Sequence, residues 1–181
     1  MKKFELTAEF VTNVFGKKLF RIKALVAFGN VEKGELGGFI EKEDNLSHDG
    51  DAWVFGNAWV SGNAWVFGNA RVYGNAQVYG DAWVYGNAQV YGNAQVSGDA
   101  RVYDDADYAV VKGFGRCFRT TTFFRCKDKI LRVQCGCFYG DLAQFREIVK
   151  KTHGDSKYAK EYLAIADLME LHFSDECGGE Q

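Results

Sequence analysis

From Gly50 to Tyr103 small and apolar positions alternate with polar or aromatic ones on a six-residue period. The phrase Gly-Asn/Asp-Ala-x-Val-x recurs nine times without an insertion, and a weaker tenth copy, Asp104 to Ala109, follows. Fixed-period repetition of this kind marks a solenoid. In the copy Gly74-Asn75-Ala76-Gln77-Val78-Tyr79, Ala76 and Val78 are two apart and share one side of a strand, while Gln77 and Tyr79 take the other. Every copy puts Ala and Val on the same side, so that side is the interior. Val suits a pleated buried surface and Ala a tight corner. Gly accepts positive φ, and Asn or Asp tolerates the left-handed region. Three four-residue strands and three two-residue bends then close a triangle of three copies, and nine copies make three 18-residue coils. Successive coils should stack ~4.8 Å apart.

The flanks are not repetitive. Residues 1–49 read as a β-hairpin and a cap on the open solenoid end: Phe4, Leu6, Ala8 and Phe10 alternate, Asn13 to Lys17 turn, and Phe20, Ile22, Ala24 and Val26 alternate again. Ile40 and Leu46 fall in the register of the later Ala positions, and Lys42 and His48 where Val would stand, so this opening coil is expected to be irregular. After the repeats (50–109), residues 110–173 read as a small α+β domain of ββαα type, its first strand beginning at Tyr108. The segments Arg116 to Cys126 and Ile130 to Cys137 form a hairpin about Lys127-Asp128-Lys129. Asp141 caps a helix with the stripe Leu142, Phe145, Ile148 and Val149, Gly154 ends it, and Asp155 or Ser156 starts a second helix. Residues 174–181 read as a disordered tail.

The repeat resembles the hexapeptide repeat of left-handed parallel β-helix proteins, with Val54, Val60 and Val66 as the aliphatic fillers and Ala58, Ala64 and Ala70 as the corner residues. Left-handedness comes with that resemblance; ordinary crossover sterics favour the right hand. The run Leu36-Gly37-Gly38-Phe39-Ile40-Glu41 with Asn45-Leu46-Ser47, and the ending Cys135-Gly136-Cys137-Phe138 before a Phe-containing helix, are similar to small phage and prophage hexapeptide proteins. Such chains are often labelled polymer-forming or acyltransferase-like. The resemblance implies a mainly β fold and a homo-oligomer, a trimer before a dimer.

Stacking the outward residues on an 18-residue coil gives three faces. The first shows Trp53, Phe55, Arg71, Tyr73, Gln89 and Tyr91; the second Trp59, Ser61, Gln77, Tyr79, Gln95 and Ser97; the third Trp65, Phe67, Trp83, Tyr85, Arg101 and Tyr103. The third is the most aromatic, and aromatic patches of that extent mark interfaces. It is expected to be covered by another subunit or by the flanking domains, and the second to be the wettest. Stacking of the rings on one another is the plainer use of such ladders.

Composition adds limits. The net charge of −2, from 22 basic and 24 acidic residues, fits neither a nucleic-acid coat nor an acidic mimic of DNA. No apolar stretch is long enough to span a membrane, no signal peptide is visible in Met1-Lys2-Lys3-Phe4, and five cysteines fit free thiols in a reducing cytoplasm, here that of a host cell. Residues 110–140 carry seven bases against Asp128 alone, and Arg116, Arg119, Arg125 and Arg132 interleave with Phe118, Phe123 and Phe124 as a possible site for anions, nucleotides or nucleic acid. Cys117, Cys126, Cys135 and Cys137 lack the paired spacing of a structural zinc site and read as buried, inert thiols, so no metal or cofactor is expected. An acyltransferase would need a general base, and only His48, at the solenoid's opening, could serve. No loop interrupts the repeats. The expectation is therefore a non-catalytic binding protein that docks on a host protein through Trp65, Trp83, Tyr85 and Tyr103. In its sharpest form it inhibits a bacterial defence system such as a CRISPR nuclease. An acyltransferase and a nucleotide-binding sponge are the alternatives.

Overall fold

The computed structural model describes residues 1–174. Its strands are β1 (Phe4–Thr12), β2 (Lys18–Ala24), β3 (Leu36–Ile40), β4 (Trp53–Val54), β5 (Trp59–Val60), β6 (Trp65–Val66), β7 (Arg71–Val72), β8 (Gln77–Val78), β9 (Trp83–Val84), β10 (Gln89–Val90), β11 (Gln95–Val96) and β12 (Arg101–Val102), then β13 (Tyr108–Phe114), β14 (Arg119–Arg125), β15 (Leu131–Cys135) and β16 (Phe138–Asp141). Helices α1 (Leu142–His153) and α2 (Lys157–His172) close the chain. The two-residue strands pair in parallel at an interval of 18, Trp59 with Gln77 and Gln77 with Gln95. They build three walls, β4-β7-β10, β5-β8-β11 and β6-β9-β12. The fold is a mainly β protein with a parallel solenoid at its centre.

Every repeat Val from Val54 to Val102 is fully buried, and every repeat Ala is at most 1% exposed. Three backbone bonds per copy tie each coil to the next: Trp59 N–H to Ala76 O (3.0 Å), Ser61 N–H to Val78 O (3.0 Å) and Asn63 N–H to Gly80 O (2.8 Å). At the corners only Gly takes positive φ, between 60° and 74° in the repeats. The Asn and Asp residues keep negative φ. They contribute instead through side chains stacked between coils, as in Asn63 Nδ2 to Asp81 Oδ1 (3.1 Å) and Asn69 Nδ2 to Asn87 Oδ1 (3.2 Å).

Three coils undercount the solenoid, which has about four turns. Phe39 and Ile40 of β3 pair with Trp59 and Val60, and Leu46 bridges to Val66. Ile40 and Leu46 therefore fill Val sites, not the Ala sites that the six-residue period assigns, because this first circuit takes 20 residues. Ile and Leu are too large for the Ala corners. Gly38 stands at a corner instead, where a Cβ would lie 2.4 Å from Ala58 O. Lys42 and His48 consequently leave the core: Lys42 is exposed and His48 half-buried.

Both solenoid ends are capped. The β1–β2 hairpin extends the second wall through β3 into one sheet, β1-β2-β3-β5-β8-β11. Phe4, Ile22 and Val31 seal the first end. An irregularity between Leu6 and Phe10 breaks the β1 alternation, which leaves Phe10 47% exposed. Lys3 is buried and donates from Nζ to Gly50 O (3.1 Å) and Ala52 O (2.8 Å), bonding carbonyls at the first end of the coil. At the other end Ala100 bridges to Cys126, Lys127 N–H donates to Asp99 O (2.9 Å), and Tyr108, Phe124 and Cys126 join the solenoid core. The C-terminal unit has four antiparallel strands, β13-β14-β15-β16: the expected strand from Tyr108, the expected hairpin, and β16 in addition. The short β16 lies inside the segment that reads as the approach to the Asp141 cap. Asp141 caps α1 reciprocally with Gln144, and Ser156 caps α2. Ser174 hydrogen-bonds back to Leu171, and residues 175–181 of the expected tail lie outside the described residues.

Two stability predictions follow from this geometry. Gly80 (φ +73°) faces Gly98 N at 3.0 Å from an added Cβ, whereas Gly16 (φ +75°) has nothing within 4 Å. Gly80→Ala should cost roughly 2–3 kcal/mol in urea unfolding and Gly16→Ala about 1 kcal/mol; equal costs would remove crowding between coils from the account. Burial pulls the Lys3 ammonium from its ordinary 10.5 down to about 8, against the opposing pull of Asp51 and Asp49. Above about pH 8 the folded chain loses this proton while the unfolded chain keeps it, so stability rises with pH up to about pH 10. Melting curves of Lys3→Met across that window should rise less steeply than those of the wild type; parallel curves would contradict the assignment.

Candidate functional site

The third wall is a ladder of rings. Trp65 stacks on Phe67 (4.0 Å between centroids), Phe67 on Tyr85 (5.0 Å, 8° between planes), and Tyr85 meets Tyr103 edge-on (5.3 Å). Trp65 meets Trp83 at 90° (5.7 Å). Arg101 lies over Trp83 at 4.3 Å and donates from Nη1 to Asp81 O, Asp99 O and Ala100 O, so its guanidinium is fixed as part of the wall. The ladder stiffens the sheet and still shows its edges: Trp65 is 36%, Trp83 38% and Tyr103 53% exposed. The chain's own flanking segments leave this wall open.

They cover the second wall instead, which corrects the expectation that it is the wettest. Ser61 and Ser97 are buried there. Phe15, at the tip of the β1–β2 hairpin, reaches Tyr79 (5.4 Å), and Tyr79 packs on Trp59 (5.7 Å). On the other side Gln95 N–H donates to Thr122 Oγ1 (3.0 Å) and Ser97 Oγ to Gln134 Oε1 (3.0 Å). Small polar side chains let neighbouring segments approach closely and give them hydrogen-bond partners, so polarity here marks an internal contact. On the first wall Trp53 is fully buried between Phe4 and Phe28, and Tyr91, stacked on Tyr73 at 5.6 Å, is 55% exposed.

The four hairpin arginines do not form one patch. Arg132 Nη2 donates to Asp128 Oδ2 (2.7 Å). Arg125 faces Asp107 (3.6 Å), donates to Phe173 O (3.1 Å) and lies over the Phe173 ring. A groove of about 510 Å³ joins Arg125 with its partner Asp107, Lys127 and Lys129 to Tyr85 and Arg101 of the third wall, so cations outnumber carboxylates at the border of the ladder. The period of the repeats could not show that contact, because it depends on how β14 crosses the solenoid end. Arg116 and Arg119 line a separate cleft of about 500 Å³ with Cys117, Cys135, Cys137, His153 and Tyr162. Burial raises the Tyr162 phenol to about 12, with Cys135 and Cys117 adding to the shift.

The thiols also divide. Cys126 is buried, and desolvation pushes it up to about 11; Cys117 and Cys137 are exposed and Cys135 is half-buried. The expectation of four buried thiols therefore holds for Cys126 alone. Among the described residues no three His, Cys, Asp or Glu side chains are grouped to hold a metal ion. His48 has both ring nitrogens engaged, Nδ1 accepting from Lys3 N–H (3.2 Å) and Nε2 facing Glu43 Oε1 (2.9 Å), and it stacks on Phe4 (4.3 Å). It clips the first strand to the opening coil. Among the described residues no helix is long and apolar enough to cross a membrane.

Residues 76–92 and 94–106 match the YdcK Beta solenoid repeat family. The chain is a β-helix protein. Both matched stretches lie in the C-terminal part of the solenoid, and the second ends in the short turn at Asp105–Asp107 that leads into β13. No curated protein matches the chain.

Thiol reactivity checks this arrangement. At about pH 8 Cys117 and Cys137 should be alkylated at least roughly a hundredfold faster than Cys126, whose thiolate is scarce and enclosed; comparable rates by mass spectrometry would show that β14 does not seal the solenoid end.

Proposed function

We propose that the protein is a non-catalytic binding scaffold that docks an acidic protein partner on its third wall. One observation carries this reading: Trp65, Phe67, Trp83, Tyr85 and Tyr103 form a stacked ladder on a rigid wall that the flanking segments do not cover. Large aromatic side chains dominate interface energetics. Arg101 within the ladder, and Lys127 and Lys129 at its border, favour carboxylates on the partner. The finer reading joins this proposal on the strength of the repeat and of the Leu36 to Ser47 run. It is a left-handed hexapeptide-type helix of phage or prophage origin whose partner is a host protein, such as a component of a defence system. A homotrimer or dimer through the same wall is the competing occupant, and it brings the same cations of neighbouring copies close together.

A photo-crosslinking residue in place of Tyr103, compared with one in place of Gln89 on the first wall, tests the proposal in the producing cell. Tyr103 should give an adduct with a second protein that is lost on Lys127→Glu/Lys129→Glu, and Gln89 should give none. No adduct from Tyr103, or equal adducts from both positions, contradicts the proposal. Light scattering separates the competing occupant: a mass of two or three chains that falls to one on Trp83→Ala assigns the wall to self-association.

A further inference from the structure

The cleft that holds Arg116 and Arg119 lies between the β13–β14 turn and the two helices. Its volume of about 500 Å³ falls within the range of small-molecule sites. Phe138, Phe145, Ile148 and Val149 give it an apolar wall, and Ile148 remains 38% exposed although it belongs to the apolar stripe of α1. Its charged lining is Arg116 and Arg119, without a carboxylate. In a chain with 24 acids and 22 bases, that one-sided sign is a matter of placement. Arg21, Arg125, Arg132 and Arg146 all have carboxylate partners; Arg116 and Arg119 have none among the described residues.

The rim is held in place. Gly115 N–H donates to Glu161 Oε2 (2.9 Å), the Oε1 of the same carboxylate faces Lys157, and Tyr162 OH donates to Phe114 O (3.3 Å). A Cβ on Gly115 would lie 2.3 Å from the Tyr162 ring, and Gly115 needs φ +71°, so this turn fits onto α2 only with glycine there. Phe118 closes the four-residue turn at φ +50°, an uncommon conformation for a bulky residue, and its ring is 65% exposed. Strain of this kind persists where the surroundings determine the backbone. Here it accompanies two arginines brought to one rim.

We propose that this cleft binds a small organic phosphate with a flat apolar body. The guanidinium forks of Arg116 and Arg119 take the dianionic head, since planar forks match phosphate oxygens. The half-buried Phe138 ring and the exposed Ile148 take the body, backed by the buried Phe145, whose ring lies 5.6 Å from that of Phe138, and by Val149. The site is separate from the third wall, so either reading can fail without the other.

Calorimetric titration of the full chain with phenyl phosphate and with adenosine monophosphate tests the proposal, with inorganic phosphate and phenol as partial probes. At least one of the two organic phosphates should saturate one site per chain, with inorganic phosphate and phenol each bound at least about tenfold more weakly. Arg116→Gln and Arg119→Gln should each weaken binding by about tenfold or more, with melting temperatures unchanged, and Arg132→Gln should leave binding as it is. The bound ligand should also slow alkylation of Cys117 and Cys137, which line the same cleft. Absence of saturation by both organic phosphates at about 10 mM, undiminished binding in the Arg116→Gln/Arg119→Gln double variant, or unprotected thiols would overturn the assignment.

Discussion

The stacking of identical small corners on one another is the constraint on which the rest of this structure depends. A coil closes only where Gly turns the backbone and Ala leaves room inside, and it then bonds to the next coil at Gly, Ala and Val carbonyls. Val fills the remaining interior completely. None of these contributions stands alone. Without inward Val the coil has no core, and without the Gly turn the backbone cannot offer its carbonyls to the next coil at hydrogen-bonding distance. Repetition turns a weak local preference into a rigid prism, since each unit is stabilised mainly by its neighbours.

A prism of this kind has two raw ends and three outer walls, and the flanking segments deal with them unequally. Open ends expose strand edges and core, and both are closed: one by β1 and β2 with the Lys3 side chain on two carbonyls, the other by β14 with Tyr108 and Phe124. The same segments run over the second wall because Ser61 and Ser97 allow close approach. On the third wall Trp65, Trp83 and Tyr103 keep their edges exposed.

The solenoid is legible in the sequence because its signal is repeated nine times: the 18-residue winding and the burial of Ala and Val are present in every copy. Ile40 and Leu46 mark the limit of that reading. They keep the six-residue spacing between themselves, yet they sit in Val sites, because two extra residues between Leu46 and Val54 shift the phase and side-chain volume decides the register. The second wall shows a different limit. Polarity reads as solvent exposure in a lone strand, whereas Ser97 meets Gln134 from a segment far along the chain. The candidate sites were least legible. Arg116 and Arg119 stand out by charge, but their separation from Arg125 and Arg132, and their approach to His153, arise from the packing of the C-terminal sheet on α1 and α2.

Methyl contacts in solution test the central claim most directly. In protein labelled at Ile, Leu and Val methyls, nuclear Overhauser contacts should run from Val54 to Val72 to Val90 and from Val60 to Val78 to Val96, with Ile40 joining Val60 and Leu46 joining Val66. Absence of contacts at the interval of 18, or valine methyls that exchange magnetisation with water, would contradict an inward-facing coil of 18 residues.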